Sequence, residues 1–425
     1  MSNMVGVGPF ITIPLIIGSM GGPQCMLGWV LGAAIALCDG LVWSELAASI
    51  PSDGGTYIYL KQAFRGTKLG GLLPFLFIWQ FIFSGPLEIA SGYIGFAQYV
   101  AFFRPLGVWA TRGVSMAVGL LVIALLYRKV TSVGRLTVLL WIGMLGTVLW
   151  VIVAGLANFN RAVVFDFPPG AFKFSLGFVA GLGSASLIAI YDFMGYYDIC
   201  YVGGEVRNPG RVIPRSIVFS VLAVAGIYSL TNLGLIAVVP WREAMHSKFI
   251  AADFMTKLYG ARAASIVTVL VLWTALASVF ALLFGYSRIP YAAALNGDFF
   301  KSFGKLHPKG DFPYVSLLVI GGLSMLASMW ALDDVITALV TSRIVIQFIA
   351  QIAVLLYLRR KRPEVARPFR MWLYPVPAAM AFAGWVFLFL TSGWKFAGFG
   401  LLTLGAGVGA YWIWTKNANS ETRTD

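Results

Sequence analysis

Two long apolar segments of this chain are interrupted at glycine residues, and this feature constrains the fold more than any other. The first interruption covers residues 5–10 (VGVGPF), and the second covers residues 191–198 (YDFMGYYD). A helix in lipid normally stays unbroken, because every backbone N–H and C=O group there needs a partner. Breaks are tolerated where the freed groups line a cavity, so a matching pair predicts a binding site near the middle of the bilayer.

The composition indicates an all-α integral membrane protein. Of the 425 residues, 59% are hydrophobic and 11% are charged, and the mean hydropathy is +0.83. A soluble domain carries about 25% charged residues. Apolar stretches of about 20 residues, long enough to cross ~30 Å of hydrocarbon, recur along the chain and predict about 12 transmembrane helices.

The predicted helices form one transmembrane domain over residues 1–415, and a disordered tail follows at residues 416–425. Broken helices 1 and 6 each begin a group of five, which predicts a 5+5 inverted repeat. The first repeat covers residues 1–160 and the second covers residues 174–358, with two extra helices within residues 373–414. The predicted spans are residues 3–19, 26–49, 71–102, 112–127, 136–156, 174–203, 212–239, 263–294, 314–330, 335–358, 373–392 and 396–414.

The distribution of basic residues predicts the orientation. If the N-terminus is cytoplasmic, the loops on that side hold most of the 31 lysines and arginines, including the run at residues 359–362. This is the positive-inside pattern, so we expect a multi-pass protein of the cell membrane (plasma or inner membrane) with both termini in the cytoplasm. The net charge of +14 lies mostly in short loops between spans, so it does not indicate nucleic-acid binding.

Residues that carry metal or enzyme chemistry are sparse in this sequence. The three cysteines lie in or beside apolar segments, and their spacing suits neither a disulfide framework nor a zinc site. Both histidines fall in polar loops, and no arrangement of a nucleophile with a base is evident. We therefore expect no cofactor, no metal site and no enzymatic activity.

Five segments resemble the amino acid/polyamine/organocation (APC) transporters, and they follow the order found in that family. They are residues 6–10 at the first break, 45–60 at the end of span two, 204–215 after the second break, 287–292 at the end of span eight and 367–375 before span eleven. The resemblance covers nearly the whole chain. It implies a secondary transporter that moves an amino acid or related amine across the membrane by alternating access.

The resemblance also implies where the substrate binds. N–H groups around Val7 and Gly8 would hold the substrate carboxylate, because the start of a helix offers free donors and a positive dipole end. Gly6 and Gly8 let a ligand approach the backbone closely. At the second break, the carbonyls of residues 191–194 would take the substrate ammonium, and Tyr191 would close over the substrate as an outer gate.

Side chains around the second break complete the predicted pocket. Met194 and Gly195 lie within the break, and Tyr196 and Tyr197 are expected to pack around the substrate. Asp192 is the notable residue, because a carboxylate in the middle of the bilayer is costly and usually faces a cavity or a partner. It either receives a proton, contacts a second cationic group on the substrate, or caps the nearby half-helix.

The sequence leaves the coupling mechanism open. Glu88 and Arg343 lie in apolar sequence, and they either form a salt bridge with each other or find separate partners. Some APC transporters place a lysine in span five, but the residue here is the apolar Met144. Protonation of Asp192 or Glu88, uniport and exchange are all candidates, and Ser278 is a candidate ligand for sodium.

The substrate and the partners are also only partly determined. Aromatic residues at the pocket favour neutral or varied amino acids, whereas Asp192 favours a cationic amino acid or a polyamine. A non-transporting membrane sensor on the same fold is a further alternative, since only residues 1–5 precede the first break. An upstream start codon would also explain that short beginning. Protons and the lipid bilayer are expected partners, and binding of an accessory subunit stays open.

Overall fold

The computed structural model of the chain describes residues 4–52, 54–127, 133–201 and 203–421, with the backbone alone described for residues 133–141, 205 and 417–421. The described part consists of helices joined by turns and loops. The α-helices are α1 Gly8–Met20, α2 Met26–Ser49, α3 Thr56–Ala63, α4 Leu69–Val100, α5 Val108–Leu126, α6 Val133–Ala157, α7 Arg161–Val164, α8 Leu176–Phe193, α9 Pro209–Val238, α10 Trp241–Ala244, α11 Ile250–Tyr259, α12 Ala261–Tyr286, α13 Arg288–Leu295, α14 Tyr314–Ala327, α15 Leu332–Arg343, α16 Ala350–Lys361, α17 Val376–Thr391 and α18 Trp394–Glu421.

Eight helical stretches among the described residues are long and apolar enough to cross a membrane, by length and composition. They are Pro23–Ser49, Leu69–Val100, Val108–Leu126, Leu176–Phe193, Pro209–Val238, Ala261–Leu295, Leu332–Lys361 and Trp394–Lys416. Shorter apolar helices are Gly8–Met20, Ile142–Ala157, Tyr314–Ala327 and Val376–Thr391. The all-helical, membrane-suited fold agrees with the composition, while the count of twelve spans and the inverted repeat stay predictions.

The first interruption lies at the start of α1, as the glycine pattern predicts. Residues 4–7 are not helical, and α1 begins at Gly8. Pro9 occupies the first turn, where its fixed φ suits the helix and its missing N–H removes no helical hydrogen bond. Val7 is the N-cap, and its side chain makes no capping hydrogen bond, so the start of α1 depends on other partners for its N–H groups.

The second interruption begins later than predicted. We expected the break to start at Tyr191, but α8 continues through this residue and ends at Phe193. Met194 is extended, and Gly195 has a φ of 101°, a conformation that favours glycine. These two residues end α8 because neither continues its geometry. The chain then forms the short 3-10 turns Asp198–Tyr201 and Gly203–Glu205, where we expected a resumed helix.

Two other spans contain features that the sequence pattern did not indicate. A π-helix at Ile344–Ile349 separates α15 from α16, although we predicted one continuous helix there. Span eight divides into α12 and α13 at Ser287. The last helix runs to Glu421, beyond the start of the predicted disordered tail, and residues 422–425 lie outside the described part of the chain.

Helix α4 forms the centre of the packing. It contacts α3, α5, α12, α14, α15 and α18 along its length. In its apolar stretch of membrane-spanning length, 72% of the residues are buried inside the bundle, against 17% for α18. Helix α2 packs against α8, α9 and α17, and α1 packs against α8. The start of α1 and the end of α8 are therefore held beside each other inside the bundle. The terminal N–H and C=O groups there have no partner within their own helix.

Two carboxylates of α2, Asp39 and Glu45, form hydrogen bonds that hold neighbouring segments of the protein together. Asp39 accepts hydrogen bonds from Tyr196 at 2.6 Å and from the indole of Trp385 at 3.2 Å. Glu45 accepts two bonds from Arg359, at 2.7 and 2.5 Å, and one from the backbone N–H of residue 371 at 2.7 Å. Arg359, the first residue of the basic run, thus ties α16 to the end of α2.

The contact between α6 and α9 gives a stability prediction. A Cβ added to Gly155 would lie 2.6 Å from the Cα of Gly234, whereas a Cβ added to Gly146 in the same helix would meet no atom within 4 Å. We expect Gly155→Ala to lower the free energy of unfolding by about 1–3 kcal/mol, because backbone cannot move aside as a side chain can. Gly146→Ala is the matched control and should not lower the melting temperature. Thermal unfolding in detergent micelles measures both, and equal melting temperatures would contradict the close contact.

Candidate functional site

The two helix breaks enclose a small cavity, called the central cavity below. Its volume open to the centres of water-sized molecules is ≈ 40 Å³. A cavity needs roughly 10–15 Å³ by this measure for each water, so it has room for a few waters and not for a larger solute. The lining residues are Met4, Gly6, Val7, Gly8, Glu88, Gly92, Tyr191, Asp192, Met194, Ser278, Val279 and Leu282.

The carboxylate of Asp192 lies directly on the start of α1. A Cβ added to Gly8 would be 2.0 Å from Oδ1 of Asp192, so only glycine leaves room for this oxygen. The hydroxyl of Thr12, one turn further along α1, lies 2.6 Å from Oδ2 and donates a hydrogen bond to it. No acidic residue lies in the first turn of α1 itself. Asp192 of α8 therefore supplies the negative charge that the positive end of this helix attracts.

The other oxygen of this carboxylate, Oδ1, accepts no hydrogen bond from the described residues. Asp192 is 3% exposed, and its Oδ1 has no hydrogen-bond partner among the described residues. A buried acceptor without a partner is costly, so such an atom is expected to meet water, a proton or a ligand. The three roles predicted for Asp192 stay predictions, and its free oxygen is available for a proton or for a cationic group of a ligand.

Glu88 and Arg343 form the salt bridge that was one of the sequence alternatives. Nη1 of Arg343 is 2.7 Å from Oε2 of Glu88, and Tyr286 donates a hydrogen bond to the same oxygen at 2.6 Å. Arg343 also donates to Ser84 at 3.1 Å and to Tyr197 at 3.2 Å. Arg343 does not line the central cavity. It lies behind Glu88, where it neutralises the charge of that residue.

Tyr191 is positioned over the start of α1. Its ring carbon Cε1 would be 3.8 Å from a Cβ at Gly8, and its hydroxyl is 2.7 Å from Oγ of Ser91. Ser91 in turn donates to the carbonyl of Glu88 at 2.5 Å, which fixes the serine on α4. Tyr191 thus bridges α8 and α4 across one wall of the central cavity. Its carbonyl accepts a hydrogen bond from the N–H of Met194, so that acceptor is already used once.

Two predicted site residues lie away from the central cavity. Gly195 and Tyr196 are not among its lining residues, and the hydroxyl of Tyr196 points to Asp39 instead. Tyr197 stacks on Trp43 with ring centroids 4.7 Å apart, so its ring also packs away from the cavity. The turn at Gly195 changes the direction of the chain, and side chains after it face α2 rather than α1. Sequence spacing alone does not reveal that change of direction.

Ser278 of α12, a candidate coupling residue, and Met144 of α6, at the position where some APC transporters have a lysine, occupy different environments. Ser278 lines the central cavity beside Gly6, where an added Cβ would be 2.8 Å from its hydroxyl oxygen. That hydroxyl donates its proton to the carbonyl of Thr274 at 3.0 Å. Its oxygen can therefore only accept a hydrogen bond or bind a cation on the side that faces the break. Met144 is buried in the apolar core and does not line the cavity.

Several residues of the site were missed in the sequence. Thr12 and Ser91 make hydrogen bonds at the breaks, and Tyr286 bonds Glu88. Thr12 lies four residues after Gly8, the spacing that puts both on one face of a helix, so this signal was present in the sequence. The contribution of Tyr286 depends on the approach of α12 to α4, which no local pattern encodes.

Two larger cavities flank the central cavity at opposite ends of α4. The Tyr57 cavity has a volume of ≈ 780 Å³ and is lined by residues that include Gly54, Tyr57, Ile78, Asp198, Tyr201, Leu282, Tyr286, Arg288 and Asn296. The His246 cavity has a volume of ≈ 540 Å³ and is lined by residues that include Phe10, Ile11, Pro14, Ile94, Gln98, Arg112, His246, Lys248, Leu332 and Asp333. Leu282 lines both the central cavity and the Tyr57 cavity.

A polar cluster stands beside the Tyr57 cavity. Asp298 accepts hydrogen bonds from the hydroxyl of Tyr57 and from the ammonium of Lys61, both on α3. Burial, and then the neighbouring Asp298, raise the pKa of the Tyr57 phenol above its ordinary value. The phenol therefore stays protonated and donates to the carboxylate, and the cluster links α3 to the loop after α13.

The Glu88–Arg343 pair gives a second stability prediction. Arg343→Met leaves a buried carboxylate without its cation, so we expect the free energy of unfolding to fall by about 3–5 kcal/mol. Adding Glu88→Gln to Arg343→Met should restore most of the loss, because no uncompensated charge remains. Lys395→Met is the control: Lys395 is exposed and its nitrogen is 3.1 Å from Asp334, so its loss should cost under about 1 kcal/mol. Thermal unfolding in detergent compares the variants, and a similar loss for Arg343→Met and Lys395→Met would be evidence against a buried pair.

Comparison with known proteins places the chain among transporters. A family model described as amino acid permease matches residues 1–411. A branched-chain amino acid permease of Bacillus subtilis is 24% identical to this chain, over 97% of the chain and 91% of that protein. The human cystine/glutamate transporter is 27% identical, over 98% of this chain and 84% of that protein. The mouse cationic amino acid transporter 4 is 28% identical, over 77% of this chain and 53% of that protein.

The family match extends over almost the entire chain, and it includes both breaks that form the central cavity. It confirms the resemblance to the APC transporters that the five sequence segments indicated. Together with the apolar helices of membrane-spanning length, it identifies the chain as a multi-pass membrane protein that belongs to the amino acid permease family.

Proposed function

We propose that the chain is a secondary transporter that carries amino acids by alternating access, with the substrate held between the breaks of α1 and α8. The observation that carries this proposal is the order of the three cavities along α4. The Tyr57 cavity reaches Ile78, the central cavity reaches Glu88 and Gly92, and the His246 cavity begins at Ile94 and reaches Gln98. At 1.5 Å per residue, Ile78 and Gln98 are about 30 Å apart, close to the thickness of the hydrocarbon core.

This order suits a binding site that opens to one side of the membrane at a time. In secondary transporters built from repeats, the site lies near the midplane and helices rock around it. A small central cavity between two larger ones would correspond to a state in which the site has no room for the substrate and either larger cavity could open toward it. Opening toward the Tyr57 cavity requires Leu282 and Tyr286 to move, since Leu282 lines both spaces and Tyr286 bonds Glu88.

The substrate contacts follow from the free groups at the breaks. N–H groups of residues 6–8 at the start of α1 suit a carboxylate. The backbone carbonyls of residues 191–194 at the end of α8 would take the α-ammonium of the substrate, and Oδ1 of Asp192 is a further acceptor beside them. Tyr191 would act as the gate toward the His246 cavity, because its hydroxyl bond to Ser91 closes the wall between α8 and α4.

The proposal includes the finer topology expected from the sequence. The eight long apolar stretches and the four shorter apolar helices would together form twelve spans, with α1 and α8 each opening one half of an inverted repeat. The membrane would be the plasma or inner membrane of the cell, and both termini would lie in the cytoplasm. Protonation of Asp192 or Glu88 would be the coupling step, since both carboxylates line the central cavity.

Counterflow uptake into proteoliposomes tests the transport activity. Purified protein is reconstituted with unlabelled amino acids inside, and entry of labelled leucine, alanine, glutamate and lysine is measured one by one against protein-free vesicles. We expect at least one amino acid to exchange. No exchange of any of the four by protein that is folded in the membrane would refute the proposed function.

Gly8 gives a sharper test of the site, with a matched control in the same helix. A Cβ at position 8 would displace the Asp192 carboxylate, while a Cβ at Gly18 would meet no atom within 4 Å. We expect Gly8→Ala to lower the uptake rate at least about tenfold, a loss of about 1.4 kcal/mol or more in transition-state stabilisation. Gly18→Ala should transport at the wild-type rate. Equal rates for the two variants would show that the substrate does not bind at the start of α1.

A further inference from the structure

The central cavity holds a carboxyl group that no cationic side chain among its lining residues accompanies. Of its two carboxylates, Glu88 is paired with Arg343 at 2.7 Å. Asp192 forms no ion pair among the described residues, and its lining neighbours include no lysine, arginine or histidine. Its Oδ2 is bonded by Thr12, while its Oδ1 is buried without a partner. A lone carboxylate at this depth in a membrane protein marks a site for a positive partner.

The same carboxylate competes with a substrate carboxylate. Oδ1 lies where a Cβ of Gly8 would be, directly on the start of α1, so Asp192 already occupies part of the positive end of that helix. A zwitterion would bring its own carboxylate to the same helix end, beside a like charge. A ligand with an additional ammonium group replaces that repulsion with an ion pair.

The remaining walls suit an alkyl chain next to that ammonium. Met4, Met194, Val279 and Leu282 line the central cavity with flexible or branched apolar groups. Methionine side chains adapt readily to different ligand shapes. Leu282 lines both this cavity and the larger Tyr57 cavity. A long, flexible ligand would therefore have room to extend into the Tyr57 cavity once the helices separate.

We propose that Asp192 makes the site selective for substrates with a net positive charge, whose alkylammonium group pairs with its free carboxylate oxygen. This inference rests on the proposed transport function and specifies its substrate class. The shared chemistry is an ammonium on a methylene chain, which either a basic amino acid or a diamine provides. Asp192 would then be a specificity-determining residue that contacts the substrate, with Thr12 as its positioning residue.

Three matched ligands test the inference on the unmodified protein. L-lysine carries the side-chain ammonium, L-norleucine has the same carbon chain without it, and cadaverine has both amines without the carboxylate. Initial rates of uptake of each labelled compound are measured in proteoliposomes at pH 7. We expect lysine, cadaverine or both to enter at least about tenfold faster than norleucine. This factor corresponds to an ion pair that raises the affinity about tenfold. Lysine and cadaverine together distinguish the two sources of the ammonium.

The variant Asp192→Asn tests the assignment to this residue, with Asp334→Asn as a control at an exposed carboxylate. Loss of the charge should lower the preference for lysine or cadaverine over norleucine at least about tenfold, while Asp334→Asn keeps it. A melting temperature measured with and without 10 mM of each compound gives a second readout: only the cationic ligands should stabilise the unmodified protein, and that stabilisation should disappear in Asp192→Asn.

The outcomes separate this inference from the transport function itself. Uptake of norleucine or leucine at a rate equal to or above that of lysine and cadaverine would overturn the charge selectivity while leaving amino acid transport intact. Norleucine uptake that requires sodium, and loses this requirement in Asp192→Asn, would assign the carboxylate to an inorganic ion instead and also overturn it. Absence of uptake for cadaverine and for every amino acid tested would refute the proposed function, and the inference with it. Uptake of cadaverine alone would support the charge selectivity and refute the transport of amino acids.

Discussion

The structure depends on one requirement: two helix ends within the bundle must have partners for their backbone groups, although lipid offers none. The protein meets it by placing the start of α1 against the end of α8. Asp192 and Thr12 join these ends, and the hydroxyls of Tyr228 and Tyr99 donate to the carbonyls of Met4 and Phe10 on either side of the break. The groups that remain uncovered line the central cavity. The proposed binding site is thus the part of the two breaks where polar groups have no partner in the protein.

The two buried carboxylates of the cavity show how a charge can be used in two ways. Glu88 has a cation, a tyrosine hydroxyl and a fixed place on α4, so its charge is balanced and holds α4, α12 and α15 together. Asp192 has a single hydroxyl donor and the field of a helix end, which balance it only in part. A fully bonded charge contributes mainly to a fixed geometry, and a partly bonded one is free to respond to a ligand or a proton.

Much of this arrangement could be predicted from the sequence, because its causes are local. Glycine at residues 6 and 8 marks the start of α1, and two opposite charges in apolar sequence make the Glu88–Arg343 pair one of the expected alternatives. The features that were missed depend on tertiary packing. The turn of Tyr196 toward Asp39 depends on the neighbouring α2, and the bond of Tyr286 to Glu88 depends on the approach of α12 to α4. The end of α8 at Phe193 and the π-helix after Arg343 were also missed. In apolar sequence of this kind, the residue pattern of a straight helix does not differ from that of an interrupted one.

The relatives allow the roles of backbone and side chains to be separated. Proteins named for branched-chain, cystine/glutamate and cationic amino acid transport match 97%, 98% and 77% of this chain, yet their printed substrates differ in charge and size. Backbone groups at a helix break recognise what all amino acids share, a carboxylate and an ammonium. Charge selection must therefore come from the side chains that line the break. In this chain that lining holds one carboxyl group without a cationic partner among the described residues, Asp192, because Glu88 is paired with Arg343.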